Sequence, residues 1–129
     1  EKQVLIYPSL DYTLNHPSIT ENGKGYLLEA ERIAWYFQHY FQHGEDRRGA
    51  SPLFMPVSNR LPETLVVSAE YCPLRDEALA YVRRLNDTGV PCRHRHFDDM
   101  IHAYLNLESL APDACAATYQ EIAAFLNGD

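Results

Sequence analysis

Basic residues are scarce in this 129-residue chain: 11 Lys+Arg stand against 18 Asp+Glu, a formal net charge of −7. That balance argues against nucleic acid or an anionic membrane surface as a partner. Cysteine is scarcer still. Cys72, Cys92 and Cys115 are odd in number and lack C-x-x-C spacing, which argues against a disulfide framework and a four-cysteine zinc site. Three reduced thiols in a cytoplasmic protein is the plain reading. No apolar run approaches the roughly 18 residues of a membrane-spanning helix. The longest stretches, such as Thr64–Ala69, are strand-sized. No Met opens the chain, and no charged-then-apolar leader precedes the first strand signal. The start reads as a chain cut from a longer protein. What is present is ordinary for one globular domain over residues 1–129: 46% apolar and 22% charged residues, enough to exclude wholesale disorder.

The strand signals are short and apolar. Val4-Leu5-Ile6-Tyr7 is stopped by Pro8, and Glu63–Glu70 carries Leu65, Val66 and Val67 in continuous succession. Continuous rather than alternating apolar residues point to strands covered on both faces, hence a parallel sheet. A third strand, Pro91–Phe97, is polar on both faces through Arg93, His94, Arg95 and His96. Such a strand suits a sheet edge, where charge discourages unwanted pairing. The first strand is the opposite, an apolar edge either left open or covered by the long loop that follows Pro8.

Helical periodicity predicts three helices. One spans Leu27–His43, with Ala30, Ile33, Phe37, Tyr40 and Phe41 as its apolar positions. One runs from about Leu74 to Gly89 on Ala78, Leu79, Val82 and Leu85. The last spans Pro112–Asn127, with Cys115, Tyr119, Ile122 and Leu126 as its stripe and Gly128 as its stop. Residues 8–26 and 44–61 read as long loops. Alternating strands and helices give an α/β fold, a three-stranded parallel sheet flanked by helices.

Two motifs lie beyond the carboxyl ends of strands, where parallel sheets build their sites. One is Ser68-Ala69-Glu70-Tyr71-Cys72-Pro73-Leu74-Arg75-Asp76-Glu77. The other is Phe97-Asp98-Asp99-Met100-Ile101-His102-Ala103-Tyr104. Each has a bland reading. His102 fits an ordinary surface turn, Cys72 a plain buried thiol, and Asp76 and Glu77 the acidic first turn of a helix. His94 and His96 share one strand face, but two histidines without a third ligand fixed by spacing make a weak metal signal. The Trp35-Tyr36-Phe37 and Tyr40-Phe41 cluster suits either core or the wall of an acyl pocket.

Together the two motifs resemble the hormone-sensitive-lipase-like esterases of the α/β-hydrolase family. There the strand before the catalytic acid ends Ala-Glu-x-Asp-Pro-Leu-x-Asp-Glu, and the catalytic His follows about thirty residues later in a Gly-Met-x-His-Gly-Phe-like turn. Here Cys72 and His102 are 102 − 72 = 30 residues apart. Val4-Leu5-Ile6-Tyr7-Pro8, Ser51-Pro52-Leu53, Leu61-Pro62 and Thr88-Gly89-Val90 resemble further family segments in the same order, so the likeness covers nearly the whole chain.

The resemblance implies the C-terminal portion of an α/β-hydrolase fold. It implies a parent esterase or lipase that acts on a small-molecule ester, of short acyl chain, by a Ser-His-acid mechanism. No metal or organic cofactor is implied. His102 takes the general-base position and Cys72 the position of the family's Asp; Asp76 is a candidate substitute acid. A homodimer through the last strand, 92–97, is a further family trait.

Two departures stand out. No Gly-x-Ser-x-Gly elbow and no His-Gly-Gly occur, so this chain alone is expected to be inactive. A thiol with reference pKa near 8.5 also stands where an ionised Asp is required. The runner-up reading is a non-catalytic α/β association module.

Overall fold

The computed structural model describes residues 1–129. Three strands, β1 (Lys2–Ile6), β2 (Glu63–Tyr71) and β3 (Cys92–Ile101), form one sheet in the order β1-β2-β3. Both pairings are parallel. β2 is central, and its continuous apolar run follows from that position. Leu65, Val67 and Ala69 point into the main core with Ile33, Phe37, Cys115 and Phe125. Val66 points the other way, onto Ala78 and Val82. Each large side chain so buried contributes about 1.5–3 kcal/mol. β1 pairs only with β2, so its outer edge meets no strand of this chain.

Five helices complete the fold: α1 (Pro17–Glu21), α2 (Ala30–Tyr40), α3 (Arg47–Ala50), α4 (Arg75–Asp87) and α5 (Pro112–Asn127). α5 has the predicted bounds, and Gly128 closes it at φ +87°, in the left-handed region that glycine enters at little cost.

Several expectations need correction. The second helix is three residues shorter at each end than Leu27–His43, because Leu27 takes φ +71° and Phe41 leaves helical geometry. The two long loops hold the short helices α1 and α3, too brief to leave a periodic signal. The α5 stripe is Cys115, Thr118 and Phe125, while Tyr119 and Leu126 are half exposed. Thr118 is tolerated inside because its hydroxyl bonds Tyr104 Oη at 2.5 Å and Ala114 O at 2.8 Å. In α2, Phe37 is core, whereas Trp35, Tyr36 and Tyr40 are exposed.

β3 runs four residues past Phe97. Ala69 pairs with Phe97 and Tyr71 with Ile101, so Glu70 alone opposes Asp98, Asp99 and Met100. The excess bulges outward and leaves Asp98 and Asp99 exposed. β3 is polar but not bare on both faces: Arg93 and Arg95 lie over the Phe125 and Phe97 rings, while His94 and His96 turn to the opposite face.

Candidate active site

The pairing of Tyr71 with Ile101 fixes the site, because the next residue on each strand is Cys72 and His102. The Cys72 Sγ to His102 Nδ1 distance is 3.2 Å. Tyr7, just past β1, completes the group: its ring centroid is 4.5 Å from that of His102. Tyr7 is held at φ +36°, a rare conformation for a bulky residue, by its N–H donating to Val67 O at 2.7 Å. Ala103, directly after His102, takes φ +62°. The resembling motif has glycine there, and this backbone explains the preference.

The electrostatics are those of a neutral pair. Burial pushes the Cys72 thiol up to about 12, outweighing the Leu74 N–H that donates to its sulfur at 3.3 Å. Burial pushes His102 down to about 4. At pH 7 neither carries charge. The imidazole lone pair is a better acceptor than a thiol sulfur, so the S–H donates to Nδ1. The ring proton then sits on Nε2, the nitrogen that must be proton-free to act as a base toward a serine hydroxyl.

Asp76 is not brought to His102. Its carboxylate accepts from Ser18 N at 2.9 Å and from Arg75 Nε at 2.9 Å, which ties the start of α4 to α1. Glu77, read in sequence as a first-turn acid, is fully buried. Its Oε1 accepts from Leu10 N at 2.5 Å and Asp11 N at 3.2 Å. It thereby fastens the loop that carries Tyr7, Pro8 and Ser9. The signal was present: Glu77, Tyr81 and Leu85 are spaced by four, on the buried face of α4.

His94 and His96 join no third group able to hold a metal ion. Both bond the Ser68 hydroxyl, at 2.7 Å through His94 Nε2 and 2.8 Å through His96 Nδ1. His96 Nε2 then donates to Glu70 Oε2 at 3.0 Å. One direction of donors satisfies every partner: His94 to Ser68, Ser68 to His96, His96 to Glu70. Burial and the neighbouring His96 push His94 below the usual imidazole range.

His102 and Tyr7 line an open apolar cleft of about 380 Å³, walled by Ile6, Leu28, Ile33 and Leu74. A polar, hydrogen-bonded imidazole in an apolar cleft at the carboxyl ends of parallel strands is suited to moving a proton on an apolar substrate.

Comparison with known proteins identifies the fold family. A family model described as an alpha/beta hydrolase fold matches residues 1–106. The ethyl acetate hydrolase of Pseudomonas putida is 34% identical over 87% of this chain and 36% of its own length. A carboxylic ester hydrolase of Mycobacterium tuberculosis is 32% identical over 95% of this chain and 33% of its own length. Among solved structures, the hyperthermophilic esterase of Pyrobaculum calidifontis superposes with a TM-score of 0.82 at 31% identity. That match covers 96% of this chain and 42% of the esterase. The chain thus spans about a third to two-fifths of the length of these relatives. No helix is long and apolar enough to cross a membrane. By these matches the chain belongs to the α/β-hydrolase fold family, where it corresponds to the C-terminal part of the hormone-sensitive-lipase-like esterases.

Proposed function

We propose that this chain supplies the proton-transfer half of a carboxylic ester hydrolase acting on short-chain esters. The observation that carries the reading is the 3.2 Å contact of His102 with the acid position, Cys72, at the mouth of an apolar cleft. In the parent, a serine from outside these residues attacks the ester carbonyl. His102 takes the serine proton, then returns it to the leaving alcohol. Backbone amides hold the oxyanion. Cys72 orients the ring but gives it no charge. The unpaired thiols favour a cytoplasmic setting.

The 129-residue chain has no Gly-x-Ser-x-Gly elbow and is therefore expected to be inert. Incubation with p-nitrophenyl acetate should give release no faster than buffer. Turnover above background that His102→Ala abolishes would overturn this division of labour.

Association is a second reading, favoured by β3. Its outer edge reads Arg93-His94-Arg95-His96 and then Asp98-Asp99. Laid antiparallel on a second copy about His96, the strand sets Arg93 against Asp99, opposite charges at facing positions, and the neutral His94 against Asp98. Sedimentation across a concentration series should give a dimer that 0.5 M salt weakens. A strict monomer at every concentration would remove this reading and leave the hydrolase reading untouched.

A further inference from the structure

The cleft at His102 does not end there. A second cleft of about 410 Å³, lined by Ser9, Tyr12, Tyr36, Phe37, Tyr40 and Phe41, abuts it at Ser9, Tyr36 and Phe37. Five of those six side chains are aromatic. The Tyr12 ring meets those of Phe37 and Phe41 at tilts of 67° and 49°, and Tyr40 stands at 88° to Phe41. Tilted and edge-to-face rings of this kind line the cleft with surroundings that a planar aromatic guest completes. Arg47 lies 5.5 Å from the Phe41 ring centroid and adds a cation to the cluster. At the rim, Tyr36 is 53% and Tyr40 76% exposed, large apolar surfaces that a ligand would remove from water.

Ser9 at the junction is the second observation. Its Oγ is buried yet makes no hydrogen bond. A buried hydroxyl without a partner is costly, and such groups are few in native proteins. Ser9 lines both clefts, and rotation about χ1 is the movement by which its hydroxyl would reach a ligand oxygen passing between them.

We propose that the two clefts form one binding path for arylalkyl esters. The ester group lies at His102, a polar atom of the linker meets the Ser9 hydroxyl, and the aromatic ring occupies the trough of Tyr12, Tyr36, Tyr40 and Phe41. The proposal rests on the ester-hydrolase reading above, but binding can be read without turnover.

Three esters separate the parts of the path: 2-phenoxyethyl acetate, with an ether oxygen between ester and ring; 3-phenylpropyl acetate, its carbon isostere; and hexyl acetate, which has no ring. Each is titrated into the full 129-residue chain, and the Tyr and Phe ring resonances are followed by NMR. Both aryl esters should shift Tyr12, Tyr40 and Phe41, and hexyl acetate should leave them in place. Tyr40→Ala, at a largely exposed position, should weaken both aryl esters about 3- to 10-fold. Ser9→Ala should weaken only 2-phenoxyethyl acetate, by about 3- to 10-fold. Ring shifts confined to Tyr7 and Tyr36, equal shifts with hexyl acetate, or no binding of any ester would overturn the proposal. So would equal losses of the two aryl esters in Ser9→Ala. None of these results depends on hydrolysis, so a catalytically dead parent would overturn only the hydrolase reading.

Discussion

Cys72→Asp raises the esterase kcat of a full-length protein carrying this segment by about 10³- to 10⁴-fold. The size follows from the tautomer. With the neutral thiol donating to Nδ1 across 3.2 Å, the imidazole rests with Nε2–H toward the substrate side and accepts the serine proton only through its disfavoured tautomer. In serine proteases, neutralising the equivalent acid costs about 10⁴ in kcat for this reason, which corresponds to about 5 kcal/mol of transition-state stabilisation. A carboxylate at position 72 accepts from Nδ1–H, reverses the tautomer and stabilises the imidazolium. The Leu74 N–H that now meets the sulfur is placed to bond the carboxylate.

The pH profile supplies a second reading of the same change. Burial holds His102 down at about 4. An adjacent anion favours the charged ring and moves its pKa upward, so the rising limb of kcat against pH shifts toward neutrality as the plateau climbs. Cys72→Asn, neutral and of similar size, should give neither effect. Equal rates for Cys72→Asp and the unaltered protein would mean that His102 no longer meets the nucleophile in a reactive geometry.

The Cys72–His102 contact was legible through the esterase resemblance, and parallel register brings the residues after the carboxyl ends of β2 and β3 together. β2 was legible from its own pattern: a strand buried on both faces has no polar positions to blur it. β3 was not. Its residues past Phe97 belong to a bulge, and Asp98 and Asp99 face water, so their chemistry signals a loop while the backbone stays extended. The α5 stripe was misplaced by size. Tyr119 is the larger apolar residue, but Thr118 is the buried one because Tyr104 and Ala114 satisfy its hydroxyl. Ser68 gave no signal at all. The sequence puts His94 and His96 on one face, but only the register of β2 against β3 sets a buried serine between them. The same limit applies to Glu77. Its acidic character fitted a helix N-terminus, and its partners, Leu10 N and Asp11 N, lie 67 and 66 residues away along the chain.

Glu77 also makes stability depend on pH in a direction unlike most carboxylates. Burial pushes its pKa from 4.5 up to about 7. The two amide hydrogen bonds oppose that shift and the nearby Asp11 charge reinforces it. Between pH 4.5 and 7 the folded chain therefore holds a proton that the unfolded chain has released. Stability falls as pH rises wherever the folded state binds more protons. The contribution is fully present below pH 4.5, declines through the interval and is gone above about 7. A shift of this size corresponds to about 3 kcal/mol.

Glu77→Gln isolates the effect. The amide keeps a carbonyl oxygen for Leu10 N and Asp11 N and cannot ionise. It leaves a polar group where Oε2 now lies buried without a partner, but that cost is the same at every pH. Urea unfolding of both proteins from pH 4.5 to 8 should show the variant gaining about 3 kcal/mol relative to the unaltered chain across the range, most of it before pH 7. Parallel stability curves would mean that Glu77 stays ionised throughout, and that the loop bearing Tyr7 and Ser9 is held by a charged clasp that acid would weaken.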